Sequence, residues 1–232
     1  MITINEALNR LQRIYDLYER FCADLTLACR KGCAPCCTAN VTLTTLEATA
    51  IRRHWEACGQ TMPLERLQRA AGRPRFQPVL TTNQFAAICV GGGEPPDEAA
   101  DPQVDACPLL ENDICTVYAA RPFGCRAMVS CTDCARHGAA DMPDRVLAAN
   151  TLLMQFIEAL DHHGMSGNLI DVLLWLNRSG DVDNRAPNPR GGPPAGLTPN
   201  HPIPVLMVPP EYREALQPLL RALRPLLTPP AL

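Results

Sequence analysis

Four of the ten residues from Ala28 to Cys37 are cysteine, and no other stretch constrains the chain as tightly. It reads Ala-Cys-Arg-Lys-Gly-Cys-Ala-Pro-Cys-Cys, so Cys33, Cys36 and Cys37 form C-x-x-C-C, with Cys29 ahead of them. Two thiolates separated by two residues can bind one ion if the chain between them turns tightly. Gly32 permits a positive φ just before Cys33, and Pro35 fixes the bend between Cys33 and Cys36. Soft thiolates at this spacing select zinc, copper(I) or an iron–sulfur cluster. The rest of the chain is expected to bring further cysteines to this knuckle and to wall it in.

Composition decides what kind of site this can be. Twelve cysteines among 232 residues, behind an N-terminus without the basic-then-apolar profile of a signal peptide, point to a reducing, cytoplasmic setting. There, dense cysteine means metal or redox chemistry rather than a disulfide framework. A net charge of −3 argues against nucleic acid as a partner. No apolar run approaches 18 residues, so no membrane partner is expected either. A protein or small-molecule partner is left open. Cys22, Cys58 and Cys89 stand alone and are expected to be small core hydrophobes.

Periodicity predicts a helical scaffold. Ile4, Leu8, Leu11, Tyr15, Tyr18, Cys22 and Leu25 recur at steps of three and four, which predicts a helix over 4–28 that delivers Cys29. Thr3 with Glu6, and Thr44 with Glu47, are capping-box pairs, the second opening a helix over 45–57 that Gly59 ends. Val41 to Leu43 reads as a short extended stretch, and Pro63 opens a helix that stops near Gly72. Residues 72–106 read as loops around one apolar piece, Phe85 to Val90. Gly91-Gly92-Gly93 is a flexible turn rather than a phosphate loop, since no Lys-Ser/Thr follows. Apolar helices are expected over 143–162 and 168–177. Residues 180–210 read as a proline-rich linker, before a last helix over 211–223 carrying Pro218.

The second cysteine region contains Cys107, Cys115 and Cys125, with a further C-x-x-C pair at Cys131 and Cys134. His137 is the one histidine near these cysteines. In its order of motifs, Gly32-Cys33-Ala-Pro-Cys36-Cys37, Thr44-x-x-Glu47, Cys107-Pro-Leu-Leu, Cys115-Thr-Val-Tyr118 and Arg121-Pro122-x-x-Cys125-Arg126, the chain resembles the CxxCxxCC (YkgJ-like) family of zinc- or iron-chelating proteins. The flagellin lysine N-methylases carry a similar domain. The resemblance covers residues 29 to 126 and implies metal chelation by these cysteines, with an iron–sulfur cluster and protein-modification chemistry implied by the methylase relationship. Cys29 and Cys33 are separated by three residues, where the family pattern has two.

The residues read the same way on their own. Cys29, Cys33, Cys36, Cys37, Cys107, Cys115 and Cys125 are seven candidate ligands, whereas one zinc or one [4Fe–4S] cluster takes four. Either two metals are bound, or spare thiols stand beside one cluster. Arg121 and Arg126 flank Cys125 and are candidate cofactor-binding residues, since guanidinium groups offset the negative charge of a thiolate site. Pro122 suits the first turn of a helix whose free N–H groups would face the sulfurs. Tyr118 is a candidate hydrogen-bond donor or a half-buried core residue. No Ser-His-Asp order, paired-carboxylate signature or dinucleotide fingerprint stands out.

The expectation is a mainly α fold: one helical domain, residues 1–178, with long loops wrapped around a cysteine-rich metal site. A proline-rich segment and C-terminal helix, residues 179–232, would pack on the same domain. Its function would be to hold an iron–sulfur cluster, expected in the 4Fe–4S form, or zinc, with redox or protein-modification activity. The alternative is a structural-zinc binding module or metal carrier without catalysis.

Overall fold

A computed structural model describes residues 2–98, 104–179 and 192–227. The first helix, α1, spans Ile4–Phe21. Thr3 caps it by accepting the Glu6 N–H at 3.2 Å. Ala7, Leu11, Ile14, Tyr15 and Tyr18 form its buried stripe. The helix ends seven residues before the predicted limit. Beyond Cys22 the chain turns, Asp24 pairs with Arg145 at 2.8 Å, and Ala28 donates its N–H to Ser130 O at 2.8 Å. That backbone pairing, rather than a helix end, delivers Cys29.

Strand β1 (Thr42–Thr44) runs directly into α2 (Thr45–Ala57) through the capping box of Thr44 and Glu47. The left-handed Gly59, φ 64°, follows the helix end as the sequence predicts. Helix α3 spans Leu64–Ala71 and α4 spans Thr82–Val90. Helix α4 takes in the apolar piece Phe85 to Val90 expected among loops, and is opened by a capping box of Thr81 and Gln84. Strands β2 (Leu110–Glu111) and β3 (Ile114–Cys115) form a hairpin. Its two-residue turn puts Asn112 and Asp113 at φ 48° and 61°, the left-handed pair that a tight hairpin requires.

Two short helices follow, α5 (Phe123–Arg126) and α6 (Cys134–His137), then α7 (Asp144–Leu160). Strand β4 (Met165–Asn168) leads into α8 (Leu169–Ser179), and β5 (Leu197–Pro199) returns beside β4. The sheet order is β1-β4-β5, antiparallel throughout, with Leu43 opposite Gly167 and Gly167 opposite Leu197. Gly167 is required here, because a Cβ would stand 2.7 Å from Gly196 O. Helix α9 (Arg213–Leu223) closes the described chain. Of the predicted proline-rich segment, residues 180–191 lie outside the described residues.

The expected mainly α class is corrected by these strands. The described residues hold nine α-helices and two small sheets, a mixed α/β arrangement. The miss has a physical cause: Met165–Asn168 is too short and too polar to show alternation, and it becomes a strand only because β1 and β5 flank it.

Two apolar clusters fill the interior. In one, α1, α7 and α9 pack around Leu11, Ile14, Leu152, Leu153 and Leu223, with Phe123 between Tyr15 and Tyr18. In the other, α2, α3 and α8 pack around Ile51, Leu67, Ile170 and Leu173, with Leu109 and Val117 from the second cysteine region. Full burial of each such side chain is worth roughly 1.5–3 kcal/mol. Helix α2 belongs to both, giving Leu46 to the first and Ile51 to the second. No helix among the described residues is long and apolar enough to cross a membrane.

Candidate metal centre

The knuckle consists of two consecutive turns. Cys33 N–H donates to Arg30 O at 3.0 Å and Cys37 N–H to Ala34 O at 2.9 Å. Gly32 takes φ 87°, the conformation that its place before Cys33 predicts. The chain leaving the knuckle then pairs with the second cysteine region: Ala39 N–H donates to Asp105 O and Cys107 N–H to Cys37 O, both at 2.9 Å. This ladder sets Cys107 against Cys37. The β2–β3 hairpin brings Cys115 back beside it, fastened where Thr116 donates its N–H and hydroxyl to Leu109 O.

Cys125 sits on α5, and a buried carboxylate fixes that helix. Glu47 Oε1 accepts Phe123 N–H at 2.7 Å and Tyr15 O–H at 2.9 Å, while Oε2 accepts Thr44 N–H at 2.8 Å. The free N–H at the start of α5 thus serves Glu47 and not a sulfur. The capping-box pattern identifies Glu47 as a helix cap; its strut to Phe123, 76 residues away, leaves no local sequence signal.

All seven predicted cysteines, Cys29, Cys33, Cys36, Cys37, Cys107, Cys115 and Cys125, line one cavity of about 190 Å³. Arg121, Arg126 and Tyr118 line it too, while Cys131, Cys134 and His137 do not. Of the isolated cysteines, Cys22 is buried as expected, whereas Cys58 and Cys89 are exposed, at the C-terminal ends of α2 and α4. Among the described residues, no three His, Cys, Asp or Glu side chains stand together in a group able to hold an ion. The thiols share one cavity without being drawn into a ligand set.

Their electrostatics divide them. Cys36 accepts a hydrogen bond from Cys37, which holds Cys36 below the ordinary thiol value and Cys37 above it. Burial pushes Cys107 up to about 11 and raises Cys115. Burial also raises Cys125, with the nearby Cys107, Cys115 and Cys36 adding to the effect. These five thiols act on one another and are taken together as the inner group, although Cys36 is itself exposed. Cys29 lies toward the rim, with Sγ directed at Met128 O at 3.8 Å; burial raises it, helped by Cys33, Cys134 and Cys36. Buried thiols of this kind ionise when an ion draws off their protons. In chemistry, though not in their present grouping, these thiols match what a thiophilic metal requires.

The two arginines are held from behind. Arg126 is 8% exposed; Nε donates to Arg121 O, one terminal nitrogen to Ala119 O and the other to Glu19, each at 2.9 Å. Its guanidinium lies over the Tyr15 ring at 4.3 Å. Arg121 stacks over the Tyr118 ring at 4.0 Å. With its hydrogen bonds directed to those oxygens, Arg126 offers the cavity charge. Lys31, the only lysine, belongs to the knuckle but not to the cavity lining.

No family model, curated protein or solved structure matches this chain.

Proposed function

We propose that this chain is a metal-binding protein holding an iron–sulfur cluster through its inner thiols, with zinc as the alternative occupant. One observation carries the reading: cysteines from three separate segments, 29–37, 107–115 and 125, line a single cavity. Cys36, Cys37, Cys107, Cys115 and Cys125 are the residues that would hold the group, and Cys29 and Cys33 are the surplus toward the rim. Five inner thiols exceed the four that one zinc or one cluster takes, which favours a cluster with a spare thiol beside it. The resemblance to the CxxCxxCC family points the same way.

When bound, a cluster supplies one-electron transfer, whereas zinc supplies Lewis acidity and activated thiolates. The chain's own residues have separate tasks. Glu47 orients α5, and with it Cys125. Arg121 and Arg126 offset the charge of ionised thiols. Leu110, Val41 and Val129 keep water from the inner face. Anaerobic purification followed by iron, zinc and acid-labile sulfide analysis tests the reading. Iron with sulfide and visible colour is the expected result. Stoichiometric zinc without sulfide rejects the cluster and keeps the thiolate centre, and the absence of both metals from protein loaded in their presence rejects the reading.

A further inference from the structure

A second cavity, of about 470 Å³, adjoins the thiolate cavity. Strand β1 and helices α4, α5 and α7 wall it, with Phe76, Phe85, Met154 and Ile157 supplying apolar surface. Phe85 and Met154 are 38% and 36% exposed, high for large apolar side chains facing a concave space. The two cavities meet at Gly124, which lines both. A Cβ there would stand 2.9 Å from Thr42 O, so the residue between the cavities carries no side chain and the partition is one backbone thick.

The charge in the second cavity has one sign. Glu47, Asp97, Glu98 and Glu158 all line it, and no Lys, Arg or His is among the described lining residues. Glu158 accepts Asn83 N–H and His201 N–H, both at 2.8 Å, and Glu98 accepts Val79 and Leu80 N–H groups, so these two carboxylates are fixed in place. An anion entering this space meets carboxylates and no Lys, Arg or His in the described lining, and a cation meets the reverse. Asp97 and Glu98 present that charge most openly, since Glu47 and Glu158 are buried and engaged by backbone N–H groups. The Phe76 and Phe85 rings add aromatic surface that attracts cations. The volume lies within the range of small-molecule pockets, roughly 300–1,000 Å³.

We infer that the second cavity binds a small organic ammonium ion with an apolar body of about one ring, and presents it across Gly124 to the thiolate centre. The binding stands on the cavity alone; the presentation rests on the metal-centre reading.

The test uses benzylammonium, with benzyl alcohol and benzoate as controls of matching shape. Binding to the full chain at neutral pH is measured by calorimetry and by saturation-transfer NMR. Benzylammonium binds, benzyl alcohol binds at least about tenfold more weakly and benzoate does not bind. Thr82→Trp, which fills the space from the half-buried Thr82 position, abolishes binding. Phe85→Ala weakens it several-fold, and its exposed side chain makes it the second variant should Thr82→Trp not fold. Benzoate or benzyl alcohol binding as tightly as benzylammonium, no benzylammonium binding, or binding indifferent to both substitutions overturns the cation site. Repeating the titration on cobalt(II)-loaded protein reads the thiolate-to-cobalt absorption. A band that moves with benzylammonium supports the presentation, and an unmoved band beside a clear isotherm overturns it. Absence of the band counts against the metal centre, while the isotherm still decides the cation site.

Discussion

Phe123 donates its backbone N–H to the buried carboxylate of Glu47 at 2.7 Å, two residues before Cys125. One carboxylate thus accepts Thr44 N–H in the capping box of α2 and holds α5, the helix that carries a candidate ligand. Glu47→Gln keeps the size but replaces one acceptor oxygen with a donor, opposing either Phe123 N–H or Thr44 N–H. A buried backbone group left unsatisfied costs about 1–3 kcal/mol, so urea unfolding should report a loss of that order. Alkylation should also reach Cys125 faster in the variant than in the native chain. A normal alkylation rate alongside the stability loss would separate the strut from the site.

The division into inner and rim thiols predicts unequal effects. Cys125→Ser and Cys107→Ser should remove most of the bound metal, because each takes away a buried inner thiol. Cys29→Ser should leave most of it, since Cys29 is directed at Met128 O. Metal-to-protein ratios of the three purified variants decide this, and equal losses in all three would contradict the division.

Arg126 should tune a bound cluster through charge. Its Nε and both terminal nitrogens bond to Arg121, Ala119 and Glu19, so it cannot be replaced without disturbing those oxygens. Arg126→Ala should lower the reduction potential, because positive charge favours the more negative, reduced state. Arg126→Lys should recover part of that shift while losing the stack on Tyr15. Potentiometric titration of the three proteins reads the order. An unchanged potential in Arg126→Ala keeps the cluster and removes the arginine from its tuning.

Stability should depend on pH through Glu158. Burial holds its carboxyl above the ordinary range, so the folded chain takes up the proton more readily than the unfolded one. The contribution is then complete below the unfolded carboxylate value and is lost as pH rises through the raised folded value. Burial shifts Glu47 in the same direction. The difference in unfolding free energy between wild type and Glu158→Gln should therefore change across that window and level off on both sides. Urea melts at stepped pH measure it; a constant difference contradicts the assignment.

Metal removal should loosen the knuckle before the helices. Residues 29–37 are held by turns and one backbone ladder, whereas α7 and α8 lie in apolar clusters of their own. Circular dichroism of verified apo and holo protein should show the helical signal persisting after the metal-dependent transition. Superimposable melting curves would count against it.

Local signals carried much of this outcome. Thr44 with Glu47 predicts α2 to the residue, and Gly32 takes the positive φ that its place before Cys33 demands. The seven cysteines also reach one cavity. Helix α4 was equally legible, since Thr81 and Gln84 repeat the capping pattern, but Pro78 and the triple glycine on either side suggest a loop. The over-long α1 has another cause. Leu25 continues the apolar period, while the distant Arg145 and Ser130 hold Asp24 and Ala28 outside the helix. Glu47's bond to Phe123 and the approach of Gly124 to Thr42 are properties of packing, and no window of sequence contains both partners.

The ladder between Cys37 and Cys107 has a consequence for biosynthesis. About 70 residues separate the two, so the ribosome releases the four thiols of residues 29–37 well before their counterparts exist. The helices of the N-terminal half can form from local contacts during that interval, while the ladder, with its long sequence separation, closes late. Until then the knuckle is an exposed group of thiols, open to oxidation or to a passing ion. On the metal-centre proposal, a chain built in this order would take up its metal after tertiary folding, and a partly synthesised chain would be the form most open to the wrong ion.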